Sequence, residues 1–369
     1  MSKKLSSADV ARLLADPSDS NRADTARKVG QQFTDPELSG AERQIIQEIF
    51  RVMVKDAAVR VREALSDTLK DNPDIPREIA LALANDVAEV ASPILEFSDV
   101  FSDEDLLNII AKKDSEHQQA VARRQQISER VADALVDTEN AKVVSTLVQN
   151  KGAEISTKTM KRVVDVFADD RSITEALAQR QNLPITVGER LVNLVSEKIR
   201  DHLQQRYKIS QEMVTDLFLN AREKATIGLL QPDTNLRDVL ALIDQLHRNK
   251  RLTPTLILRS ICMGDTTFFE AALARLADVP IANAYQLIHD QSGLGLKRLF
   301  EKCGLSPRML EVCRGALNVA ADMELNSGDD RIRFRQLVIE RVLTRFEEGF
   351  DPDNLDYFIA KLGRAARAA

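Results

Sequence analysis

The chain has 369 residues, 44% hydrophobic and 29% charged, with no Trp and only 4% aromatic side chains. That is enough apolar material for two domains or one long repeat array, and the balance excludes a disordered chain. A formal net charge of −6 and a pI near 5.5 argue against a broad, non-specific grip on nucleic acid, which relies on clustered Lys and Arg to displace phosphate counterions.

Ala, Leu, Glu and Arg outnumber the β-branched and aromatic residues that strands favour, so the composition points to an all-α fold. Cys262, Cys303 and Cys313 form no CxxC pair, so neither a disulfide framework nor a zinc site is indicated, and reduced buried thiols are expected. The N-terminal MSKKLSSADV lacks an apolar run after its lysines, and no window approaches 18 apolar residues. The expectation is a cytoplasmic protein with no membrane insertion and no cofactor.

In chain order, helices are expected at about 6–15, 19–33 and 39–54, separated by Asp16-Pro17 and by the Thr34–Pro36 break. Residues 56–95 carry the clearest local signature. Asp56 is read as capping a helix with Val59, Val61, Ala64, Leu65 and Leu69 on one face. A Pro-containing turn leads to a second helix with Ile79, Leu83 and Val87, and Pro93 is read as starting a further element. Asp56, Val59 and Arg60 match the Asp-x-x-Val-Arg opening of a HEAT repeat, which this hairpin resembles. Ala-Leu pairs at 64, 134 and 176 suggest a period of about 35–42 residues, near the roughly 40–47 of HEAT or armadillo units. Residues 101–114, 139–149, 157–170 and 187–199 supply the remaining helices. Two arrangements fit residues 1–200: a HEAT/armadillo-like solenoid of helical hairpins with a concave face for a partner, or an irregular bundle of the same helices.

Composition changes between 200 and 235, where the boundary to a helical C-terminal domain over about 210–365 is expected. Helices follow at 235–249, 306–324 and 331–347, with Pro254 at a helix start. Between 254 and 303, Leu256, Leu258, Ile261, Phe268, Phe269, Leu273, Ala284, Leu296 and Phe300 recur at helical spacing, broken by short polar or Gly interruptions. In and beside this run Thr253, Pro254, Leu258, Arg259, Cys262, Gly264, Asp265, Phe268, Phe269, Leu273, Gly295, Leu296 and Gly304 resemble a family of alphaproteobacterial proteins known as a domain of unknown function. The resemblance implies an all-helical bacterial protein and transfers no catalytic residue.

Four candidate sites remain. Cys262 with His289 and a neighbouring Asp has the residue types of a nucleophile, its base and an orienting acid. Equally, Gly264 can end one helix, Asp265 cap the next and Cys262 pack inward. Gly293-Leu-Gly295 lacks the preceding strand and third glycine of a dinucleotide fingerprint. The dispersed His residues 117, 202, 247 and 289 hold no metal-ligand spacing. In the most basic region Arg331 and Arg335 share a helix face, as do Arg341 and Arg345, forming either a solvated face or a dock for an acidic partner. The overall reading is a non-catalytic adaptor for an as yet unidentified protein partner, with nucleic-acid binding the alternative and a Cys262-dependent enzyme a third; oligomeric state is left open.

Overall fold

Most helix starts in the first half of the chain are fixed by a short polar side chain that stays outside the helix and satisfies its free N–H groups. In the computed structural model, which describes residues 7–206, 211–231, 233–323 and, beyond them, 333, 334, 336–338, 340 and 341, every named element is an α-helix. The expected all-α class is therefore met among the described residues. Ser39 and Glu42 form a capping box at α3 (Gly40–Met53), as do Ser102 and Asp105 at α7 (Asp103–Lys112). Asp114, Ser128, Asn140, Ser156 and Asp170 cap α8 (Ser115–Ala122), α9 (Glu129–Asp137), α10 (Ala141–Gln149), α11 (Thr157–Val166) and α12 (Arg171–Ala178). Such a cap stabilises its helix by about 1 kcal/mol.

The chain divides into two compact units, 1–182 and 183–369. The first also contains α1 (Ser7–Ala15), α2 (Asp19–Phe33), α4 (Val59–Leu69), α5 (Arg77–Ala84) and α6 (Ala88–Phe97). It is a ladder of hairpins. The even-numbered helices α2 to α12 each pack on the next, burying Phe33, Leu65, Leu69, Ile94, Leu95, Val121, Val144, Leu147 and Leu177. The odd-numbered helices are tied across by polar pairs: Arg51–Glu78 (2.7 Å), Arg77–Asp105 (2.6 Å), Arg130–Glu104 (2.9 Å) and Arg162–Asp137 (2.8 Å). Apart from Arg77–Asp105, whose carboxylate is buried, these pairs are exposed and contribute little energy, so the apolar row holds the ladder and the charged row sets its register.

Helix ends on the even-numbered row are closed by the following hairpin. Arg124 donates to the carbonyls of Leu95 and Ser98 (2.8 Å to the latter), Asn150 Nδ2 to those of Ala122 and Arg124 (2.9 and 2.6 Å), and Arg180 to those of Val148, Asn150 and Ala153 (2.7–2.9 Å). Carbonyls that have no partner within their own helix are thereby satisfied, and positive charge sits at the negative end of the helix dipole.

Three readings of the sequence need correction. Successive hairpins begin at Arg77, Asp103, Glu129 and Thr157, so the period is about 26–28 residues, shorter than that of a HEAT unit. Asp56 does not cap α4, whose N-cap is Ala58 without a side-chain bond. Its carboxylate takes Arg22 of α2 at 2.9 and 3.1 Å, and Arg62 of α4 makes the same kind of bond to Asp86. Thus Arg62, not the exposed Arg60, links the hairpins. Pro93 lies inside α6, and the expected helix through Val87 stops at Ala84, leaving Val87 as the N-cap of α6.

These pairs predict acid sensitivity. Arg22 holds the Asp56 carboxyl below the usual carboxylate range, as Arg77 does for Asp105 and the bond from His117 does for Asp114. A carboxyl depressed in the folded state adds stability that is full above its unfolded value, about 4, and is lost as pH falls through the depressed folded values. The urea midpoint of the first unit is expected to be flat from neutrality to about pH 5 and to drop below about pH 4. Asp105→Asn should make the drop shallower; an unchanged slope in that variant would remove Asp105 from the explanation.

The second unit contains α13 (Ile185–Arg206), α14 (Gln211–Gly228), α15 (Leu236–Arg248), α16 (Pro254–Cys262), α17 (Thr266–Ala277), α18 (Ile281–Ile288), α19 (Leu294–Cys303) and α20 (Pro307–Asp322). α16 is its axis. Every residue from Thr255 to Cys262 is buried, and the helix packs on α14, α17 and α20. Thr253 caps it with Pro254 in the first turn, and Gly264 (φ +84°) then leads to Asp265, the N-cap of α17. Phe334 and Val338 join the same core. The division falls at 182/183, ahead of the 200–235 region, because α13 packs on α14 and α15 and Thr186 of α13 accepts a bond from Gln245 of α15.

Candidate functional site

The largest concentration of buried charge lies where α13, α14, α15 and the entry to α16 meet. Glu223 shares a face of α14 with Ile227, at i and i+4, so the periodicity that buries the hydrophobe also buries the acid. Its Oε1 accepts the hydroxyls of Thr253 and Thr255 (2.6 Å to the latter), and Arg259 Nε stands 3.7 Å from Oε2. Arg259 also donates to Asn220 Oδ1 at 3.1 Å. Beside this pair, Glu189 takes Arg251 at 2.8 and 3.1 Å and Gln245 at 2.8 Å. Burial pushes the Glu223 carboxyl up, against the pull of the two hydroxyls and Arg259. Arg222, pushed down by burial and by repulsion from Arg251, donates to Asn193. Glu189, Glu223 and Arg259 are almost wholly sealed from solvent. The arrangement locks four helices together and offers no accessible base or nucleophile.

Sequence reasoning missed this network, because isolated Glu and Arg residues on helices normally read as solvated. Two signals were present: an acid on the buried face of α14, and one arginine within the apolar run LILRSIC.

Cys262 and His289 have different surroundings. Cys262 is fully buried, and burial pushes its thiol up to about 12. His289, at the exposed end of α18, has Nε2 2.8 Å from Glu270 Oε1 and its ring against Tyr285, centroids 4.3 Å apart. A thiol-selective reagent at neutral pH is expected to leave Cys262 and Cys313 unmodified in the folded chain and to reach both only on unfolding. Stoichiometric labelling of native Cys262 would revive the nucleophile reading.

Around Gly293 and Gly295 the structure shows close packing. Gly293 (φ +67°) is the N-cap of α19 and its carbonyl accepts Arg314 at 2.6 Å. A Cβ on Gly295 would stand 2.4 Å from the Leu287 carbonyl oxygen, so only glycine allows α19 this close to α18. The free N–H groups there already face a carboxylate: Asp290 accepts Ser292 N (3.3 Å), Gly295 N (3.4 Å) and the Ser292 hydroxyl. Among the described residues no group of three or more His, Cys, Asp or Glu is placed to hold a metal.

Of the three arginines proposed as a dock, Arg341 is exposed and donates to Asp322 at 2.9 Å; Arg331 and Arg335 lie outside the described residues. Among the described residues no helix is long and apolar enough to cross a membrane.

A hairpin ladder and a second unit closed around a buried ionic lock make this an all-helical protein. The family model described as an uncharacterised protein conserved in bacteria, DUF2336, matches residues 90–349, and the chain belongs to that family. No curated protein and no solved structure matches it.

Proposed function

We propose that the chain is a non-catalytic scaffold of the bacterial cytoplasm that binds another protein through the outward helix faces of its ladder. The observation that carries this reading is the repeated hairpin: each even-numbered helix packs on its neighbours in the row and leaves a polar strip exposed, including Arg60, Glu89, Glu116, Lys142 and Arg171. A row of strips in register offers an extended surface suited to a protein partner, as repeat arrays commonly do. The seal around the buried carboxylates and the high thiol of Cys262 support a binding role over catalysis. Arg331, Arg335 and Arg341 are the proposed second contact, for an acidic segment of the same partner.

The test is affinity purification of the tagged full chain at low and moderate salt, with two variants. One reverses Arg60, Glu89, Lys142 and Arg171; the other changes Arg331, Arg335 and Arg341 to Glu. Loss of one enriched protein from the folded ladder variant is expected. Undiminished recovery in both variants would sink the proposal, and nucleic acid in the eluate would favour the nucleic-acid alternative.

A further inference from the structure

We infer that α13 and α14 form a self-association hairpin that pairs with the same hairpin of a second copy of this chain. At 22 and 18 residues they are the longest described helices. They run antiparallel: Arg222 reaches Asn193, and Gly188 lies against Leu229. In that register Val195 stands level with Ala221, and Ile199 with Leu217. The inner ends are held by the buried lock through Glu189 and Glu223. The outer ends instead leave apolar side chains in solvent: Val195 is 52% exposed, Ile199 47% and Leu217 62%.

The spacing says what kind of element covers them. Val192, Val195, Ile199 and Leu203, the first and last half-buried, follow one another at steps of three, four and four, the seam of a helical bundle rather than scattered surface hydrophobes. Although α15 packs on α13 and α16 on α14, Val195, Ile199 and Leu217 stay exposed among the described residues, and a second hairpin completes a four-helix bundle over them.

Charge selects a copy of the same chain. Beside the seam Glu197 precedes Lys198, and Arg200 precedes Asp201, which it meets at 2.9 Å. When two seams run antiparallel about a dyad between residues 197 and 198, Glu197 of each copy faces Lys198 of the other. A partner flanked by one sign of charge would meet its like on this flank.

The experiment uses the full chain. Sedimentation velocity is expected to show a dimer, converted to monomer by Val195→Glu with Ile199→Glu and untouched by Ile45→Glu, which places the same charge on another exposed apolar position, on α3. A mixture of isotopically light and heavy protein treated with a lysine cross-linker is expected to give Lys198–Lys198 links between copies, a readout that does not depend on the variants folding. A wild-type monomer, a dimer that survives the double substitution in a folded protein, or links to residue 198 confined within one copy would each overturn the inference.

Discussion

Arg259→Ala is expected to destabilise the second unit by about 3–5 kcal/mol, the range for removing one partner of a buried ion pair. The loss arises less from a missing attraction than from what stays behind. Glu223 would remain buried with the Thr253 and Thr255 hydroxyls and the charge of Arg222, and burial already pushes its carboxyl up. Without the guanidinium that carboxyl rises further, so its proton uptake relieves the variant as pH falls. The deficit should therefore be largest at and above neutrality and shrink toward mildly acidic pH, opposite in sign to the acid lability of the first unit. Glu223→Gln combined with Arg259→Met removes both charges and is expected to recover most of the loss. Urea denaturation followed by circular dichroism gives the totals, and hydrogen exchange resolved to residues 220–262 assigns them to this unit. A deficit that grows as the pH falls would show that Glu223 is not the source.

In the first unit the largest effect is expected from Arg180→Met, at about 2–4 kcal/mol, since hydrogen bonds to charged groups contribute about 1.5–3 kcal/mol each and lost bonds do not add fully. Three carbonyls, of Val148, Asn150 and Ala153, would lose their donor together. Arg180→Lys should restore little, because one ammonium cannot reproduce the planar fork that reaches all three. The comparison is Arg171→Met, whose side chain is 88% exposed and paired only with Glu175; it should change stability by less than about 0.5 kcal/mol. Faster hydrogen exchange confined to residues 141–153 is the signature expected for Arg180→Met. Equal effects from the two substitutions would contradict the clamp.

Helix positions were legible in the sequence wherever local chemistry decides them. Thr253-Pro254 opens α16, and Gly264 with Asp265 separates it from α17, as the residue types require. The repeat period was not legible from Ala-Leu pairs. Those pairs report only a buried helix face, which both rows of the ladder possess: Ala64 and Ala176 lie on even-numbered helices, Ala134 on the odd-numbered α9. The informative signal was the recurrence of basic residues 24–34 positions from an acid or a carbonyl they bond, as in Arg62–Asp86, Arg124–Leu95 and Arg22–Asp56. The ionic lock was hidden for a related reason. Glu189 and Glu223 are brought together with their partners by the crossing of α13, α14, α15 and α16, which no local pattern encodes.

The chain of clamped helix ends also constrains how this molecule can change length over evolution. Arg124, Asn150 and Arg180 each close the helix of the preceding hairpin, so each of these rungs is a template for the next. An insertion or deletion of a few residues within a helix would rotate a clamp out of reach, while loss or duplication of a whole hairpin preserves the geometry of every surviving contact but those at the splice. The family match begins at residue 90, inside α6 and partway along this ladder. Relatives are thus expected to differ at the amino-terminal end by whole hairpins, with lengths stepping in units of about 26–28 residues rather than drifting continuously.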